Sequence, residues 1–286
     1  MSEENEVLYD VKDRIATVTL NRPERMNSID DSMPINIAKA MKQAATDPGV
    51  RAIILTGAGR AFCAGADIGR LQRRSGGERP PPPPDDTTTI PAITHGHGPD
   101  LGPEFADVRR YSYFMRIGKP VIGALNGATA GLGFIMALCC DMRMASSNMI
   151  FTTAFAQRGL IAEHGIAWLL PRLVGPSNAI DLLLSARRVT AKEALDMGLV
   201  NRVYPQESFM DDVRTYVRVL TDTVSPHSMA VIKAQTWKGM FESYAENLAE
   251  ADRQIVANYP YPDYKEGVAH FVEKRPANFP DLPKAK

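Results

Sequence analysis

Two short stretches, RAIILT (residues 51–56) and PVIGAL (120–125), are nearly unbroken apolar runs, and a loop of glycine and alanine follows each one. A strand with one wet face alternates apolar and polar residues, so a run without alternation reads as a strand covered on both faces. Parallel sheets are covered on both faces in this way, and parallel neighbours need crossover connections, which are right-handed. The rest of the N-terminal two thirds fits this frame. IATVTL (15–20) alternates and is rich in β-branched residues, as a strand is. NRPERMNSID follows as a loop, and Ser32 with Pro34 opens a helix over about 33–45. The run from 132 predicts a helix to about Cys140, and 141–145 and 149–153 read as two short strands. This order of strands and helices predicts an α/β fold.

From about residue 206 only helical spacing remains. Phe209, Val213, Tyr216, Val217, Leu220 and Val224 recur at intervals of three and four. Further helices are expected over about 228–240, 242–257 and 263–273. The chain thus divides into an α/β core, 1–205, and a helical region, 206–286. This region is expected to pack on the core or against a partner subunit, and Val213, Leu220, Val231 and Phe241 suggest apolar faces that a second copy would cover. Residues 72–104 stand apart: a five-proline run with no apolar periodicity favours polyproline II and cannot enter a sheet. It reads as a surface insertion or as a lid over a neighbouring site.

Lys plus Arg and Asp plus Glu both number 33, and this zero net charge gives no reason to expect a nucleic-acid or membrane-surface partner. The N-terminus lacks the basic and apolar regions of a secretory signal. Three cysteines, Cys63, Cys139 and Cys140, form no CxxC pair and make a poor disulfide framework. A reducing, cytoplasmic setting is the expectation. His95 and His97 have no third ligand at a convincing spacing, so no metal is expected.

The chemistry concentrates in the two glycine loops, GRAFCAGADI (59–68) and NGATAGLGF (126–134). Loops at the carboxyl ends of such strands are where α/β folds hold ligands. An amide N–H at a helix start favours developing negative charge, and two convergent amides make an oxyanion hole.

VTLNRPERMNSID, RAIILTGAGRAFCAGADI, KPVIGALNGATAGLGFIMALCCDMRMAS, GLIAEHGIAWLLPRLVG, TAKEALDMGLVNRV and KEGVAHFVEKRPANF together resemble the crotonase, or enoyl-CoA hydratase/isomerase, superfamily. The resemblance covers nearly the whole chain outside the proline-rich segment. It implies a crotonase-like spiral of ββα repeats with an all-helical C-terminal trimerisation region. It also implies an acyl-CoA thioester substrate, a homotrimer or homohexamer, and no cofactor beyond the coenzyme A of the substrate. The two amides of the family fall on Ala66 and Leu132. Leu132 stands where the family usually has glycine, which keeps the N–H and adds a side chain beside the substrate. Arg25 and Arg60 fall near the CoA nucleotide and phosphates, and Ala64 and Gly131 are expected to bind the substrate.

The same resemblance exposes a departure. The two glutamates of authentic hydratases fall on Ile135 and Phe155, which are apolar substrate neighbours and cannot activate water. An acid at a third position, in GLIAEHG, gives Glu163, with His164 to share or orient it. In an apolar pocket the Glu163 pKa is expected to rise. The rival reading makes Glu163 a helix cap. Asp67 is expected to brace its loop, Asp141 to be structural, the cysteines to be core thiols, and Tyr111 and Tyr113 to be core rings within conceivable reach of the site. Two functions follow: an enzyme that stabilises a thioester enolate and moves protons through Glu163, or an acyl-CoA-binding pseudoenzyme on the same fold.

Overall fold

A computed structural model describes residues 6–77 and 111–282, with the Arg74 side chain left aside. Most of the proline-rich segment, with His95 and His97, lies outside the described residues.

The first strands are β1 (Val7–Lys12) and β2 (Ile15–Leu20), joined by a tight turn with Asp13 and Arg14 both left-handed. Helix α1 (Met33–Thr46) follows, then β3 (Ala52–Gly57), β4 (Ala61–Cys63) and α2 (Ile68–Ser75). Next come β5 (Val121–Leu125), β6 (Ala128–Ala130) and α3 (Leu132–Cys139), then β7 (Met142–Ser146), β8 (Ile150–Thr152) and α4 (Ile166–Ser185). The series ends with β9 (Val189–Thr190), α5 (Ala191–Asp196), β10 (Arg202–Tyr204) and four helices: α6 (Phe209–Thr223), α7 (Pro226–Gly239), α8 (Tyr244–Asn258) and α9 (Pro262–Glu273).

One sheet has the order β1-β2-β3-β5-β7-β10, parallel except for the β1/β2 hairpin; the second has the order β4-β6-β8-β9. Chain order explains both. Strands β3, β5 and β7 are neighbours in the first sheet, while β4, β6 and β8, which follow them, are neighbours in the second. Each strand-strand-helix unit therefore advances one place in both sheets, which is a spiral of ββα repeats.

The unbroken apolar runs do what their pattern requires. Ile53, Leu55, Val121 and Leu125 face a core shared with Met41 and Phe134, while Ala52, Ile54, Ile122 and Ala124 pack under Phe209, Val213 and Val217 of α6. Val213 is thus fully buried against its own sheet and is not part of an exposed face. Exposed apolar side chains instead mark α8 and α9: Tyr244, Val256, Phe271 and Val272 are 83%, 68%, 79% and 71% exposed.

Three local expectations change. Both glycine loops contain a three-residue strand, β4 or β6, too short and too rich in small residues to show alternation. The insertion boundary at 72 falls inside α2. The start of α1 is capped from Asp30, whose Oδ1 accepts the N–H groups of Ser32 and Met33, and not by the Ser32 hydroxyl.

Candidate active site

The two glycine loops meet. Gly65 holds φ +97°, and a Cβ there would lie 2.9 Å from the carbonyl oxygen of Ala130 and 3.5 Å from the amide nitrogen of Leu132. A methyl group cannot fit, so glycine at 65 is what lets the chains approach. Gly133 is equally constrained: a Cβ there would be 2.4 Å from the Cys63 carbonyl oxygen, which presses the start of α3 onto β4.

Leu132 opens α3, so its N–H has no intrahelical acceptor. Ala66 is bracketed by a parallel bridge. Ile29 N–H donates to the Gly65 carbonyl at 2.7 Å, and Asp67 N–H donates to the Ile29 carbonyl at 2.9 Å. Extended backbone points successive N–H groups to opposite sides, so the Ala66 N–H faces away from Ile29. Among the described residues neither amide donates a hydrogen bond to another group.

Both border a cleft of about 1310 Å³, and Arg25, Arg60, Ala64, Gly131, Phe155, Glu163 and His164 line it with them. Ile135 does not. It sits one turn into α3, 1% exposed, inside the core. Leu132 is 8% exposed and lines the cleft. Tyr111 and Tyr113 are core rings beside Phe114 and take no part in the lining; burial raises the Tyr113 hydroxyl well above its ordinary pKa.

Glu163 is no helix cap. The cap of α4 is Gly165, with no side-chain hydrogen bond, and only the backbone carbonyl of Glu163 accepts from Ile166 N–H. Its carboxylate lies 3.7 Å from His164 Nε2, with 34% of the Glu163 side chain exposed. It stands at the wall of the cleft and not in a sealed apolar pocket. The adjoining His164 is left-handed (φ 54°), as is Gly165 (φ 77°), so this loop turns sharply to present the pair.

Arg25 and Arg60 are exposed, line the cleft and have no carboxylate partner among the described residues. Arg22 contrasts with them. It is also a lining residue, but Glu6, Asp30 and Asp67 surround it at 3.5, 2.9 and 3.4 Å. Asp67 braces its loop as expected, accepting from Gly69 N–H at 2.9 Å and from the Ser28 hydroxyl at 3.2 Å. Burial works against the charge on Asp30, yet the Met33 N–H, Arg22, Ser32 and Glu6 together hold its pKa below the usual value. The Arg22 network was missed from sequence because Asn27, which organises it, carries no signal beyond a turn. Asn27 Oδ1 accepts the Arg22 N–H at 2.8 Å, and its Nδ2 donates to the carbonyls of Ala58 and Ala61 at 2.9 and 2.8 Å.

Asp141 is structural: it accepts from Val121 N–H and the Trp237 indole and pairs with Lys233 at 2.7 Å. Burial pushes the Cys63 and Cys139 thiols up to about 12. Among the described residues no cluster of His, Cys, Asp and Glu suits a metal ion, and no helix is long and apolar enough to cross a membrane.

Comparison with known proteins places this geometry. Residues 10–81 and 89–282 match the Enoyl-CoA hydratase/isomerase family. The chain is 34% identical over 278 residues to 1,2-epoxyphenylacetyl-CoA isomerase of Escherichia coli (strain K12), covering 96% of this chain and 97% of that protein. It is 33% identical to crotonyl-CoA hydratase of Syntrophomonas wolfei, covering 98% and 99%. A solved structure of a probable enoyl-CoA hydratase/isomerase from Mycobacterium abscessus superposes with a TM-score of 0.81 at 28% identity, covering 96% of this chain and 98% of that one. A spiral fold, a cleft walled by two glycine loops and matches along almost the entire length agree, and the chain belongs to the enoyl-CoA hydratase/isomerase family of the crotonase superfamily.

Proposed function

We propose that this protein is an acyl-CoA thioester enzyme whose Ala66 and Leu132 amides receive the thioester oxygen as it becomes an enolate. The observation that carries this reading is the approach of the two loops at Gly65, which brings to one cleft two N–H groups with no acceptor among the described residues. Donors fixed in advance stabilise developing charge without reorganisation, each contributing on the order of 3 kcal/mol. Arg25 and Arg60, with no carboxylate partner among the described residues, suit the CoA phosphates at the rim.

Glu163 takes and returns a proton at the carbon beside the thioester, with His164 orienting its carboxylate. Phe155 lines the cleft and Ile135 is buried in the core, so the positions that would activate water in a hydratase are hydrocarbon. A single acid fits transfer of a proton between carbons better than hydration, and the E. coli relative is named as an isomerase. The alternative, a pseudoenzyme that only binds acyl-CoA, draws its support from the same two apolar positions. Exchange of α-protons of butyryl-CoA and phenylacetyl-CoA in D2O, followed by mass spectrometry, separates the two. Exchange supports the enzyme; tight binding without exchange supports the pseudoenzyme.

The active form is a homotrimer or homohexamer in this reading, with the exposed apolar side chains of α8 and α9 covered by another copy. Sedimentation is expected to give a species of at least three chains at micromolar concentration, and a monomer would contradict it.

A further inference from the structure

We propose that Arg22 is a positioning residue for the Ala66 amide. The inference rests on the oxyanion reading above and identifies what fixes one of its two donors. Among the described residues Ala66 has no direct tether of its own; its direction is set by residues 65 and 67, which are hydrogen-bonded to Ile29. The segment 28–30 is in turn held by Arg22. One guanidinium nitrogen donates to the Ser28 carbonyl at 2.7 Å and pairs with the Asp30 carboxylate at 2.9 Å. The other terminal nitrogen reaches Asp67 at 3.4 Å, on the far side of the bridge. Arg22 therefore clamps both chains of the Ile29/Ala66 bridge together from one side. Its side chain is 14% exposed, which limits solvent screening of these contacts.

The planar fork of arginine suits this task, because it presents several donors in fixed directions. A lysine has one nitrogen and cannot reach Ser28, Asp30 and Asp67 at their present separations with the same geometry. Three carboxylates surround Arg22, so its charge is already satisfied and it is poorly placed to bind a phosphate. Arg22 should therefore act on the turnover of bound thioester and not on its affinity. Arg25 and Arg60, with no such partners among the described residues, should do the reverse.

The test uses a cinnamoyl-CoA thioester with a para-dimethylamino donor. Its absorption moves to longer wavelength when hydrogen-bond donors polarise the carbonyl. The full-length wild type is expected to bind it with a clear red shift and to exchange the α-protons of butyryl-CoA. Arg22→Met is expected to lose most of the red shift and to exchange about 10- to 100-fold more slowly, the scale on which misplacement of about 1 Å acts. Its dissociation constant for the chromophore should stay within about 3-fold, in line with a charge that is already paired. Arg22→Lys should fall between the two. Arg73→Met, which removes an exposed partner of Asp31 from the neighbouring ion pair, should leave the shift unchanged.

A wild-type red shift retained in full by Arg22→Met, with unchanged exchange, overturns the inference. If Arg22→Met does not fold, Arg22→Lys decides: a wild-type shift overturns the inference and a reduced shift upholds it. Absence of any red shift in the wild type is a different failure, because it removes the oxyanion reading and this inference with it.

Discussion

Ala66 and Leu132 lie in backbone that is held from both sides, whereas Glu163, across the same cleft, rides on a turn between two left-handed stretches. The amide cradle is laddered to Ile29 and to β8, and so tight that a Cβ on Gly65 or Gly133 would collide with a carbonyl. The acid loop exposes Leu160 and Ile161 at 36% and 78%, and its turns are closed by backbone bonds such as Leu160 N–H to the Phe155 carbonyl. The contrast matches the two physical tasks proposed for these groups. Dipoles that stabilise charge work only if they are in place beforehand. A group that moves a proton needs reach, and its carrier can vary from one member of a fold to another.

The largest expected effect comes from breaking the rigid half. Gly65→Ala puts a side chain at φ +97° and 2.9 Å from the Ala130 oxygen. α-Proton exchange should fall about 100- to 1000-fold while circular dichroism still reports a folded chain. Near-normal exchange would mean that the close approach of the loops has no catalytic use. Next, crotonyl-CoA hydration should run at least about 100-fold below the usual enzyme range of ~1–1000 per second. Ordinary turnover on that substrate would show that the acids of hydration lie elsewhere in the chain.

Smaller effects sharpen the division between binding and chemistry. Arg25→Ala and Arg60→Ala should each raise KM by about 5-fold with kcat unchanged, as exposed ionic contacts do, and added salt should shrink the difference. A drop in kcat instead would place them with the chemistry. The smallest expected signal is a null result. Cys63 lies under the cradle with its thiol pushed up to about 12 by burial, so its folded form should resist iodoacetamide at pH 7 to 9. Labelling at a rate like that of free cysteine would show that the cradle opens.

The sheet was legible because covered strands write themselves as unbroken apolar runs, as residues 53–55 and 121–125 do. The glycine loops were legible as places of close approach. Their inner strands were not, since three residues such as Ala128–Ala130 cannot display a period. Val213 misled for a related reason: helical spacing announces an apolar face and does not say whether a sheet or another copy covers it. Arg22 was hidden because its partners Glu6, Asp30 and Asp67 are scattered along the chain, and only the fold brings them to one guanidinium. Glu163 was proposed through family resemblance. Its half-exposed place at the cleft wall, in contact with His164, depends on the left-handed turn, which no residue pattern announces.

The central claim is that the cradle stabilises an enolate while Glu163 carries the proton. Its most direct test is α-deuterium incorporation into butyryl-CoA and phenylacetyl-CoA by wild type and Glu163→Gln, with thioester affinity measured in parallel. Gln keeps the size of the side chain and removes the titrating proton. The expected result is exchange by the wild type, a loss of roughly 100-fold or more in Glu163→Gln, and little change in affinity. Exchange by Glu163→Gln at the wild-type rate would contradict the account.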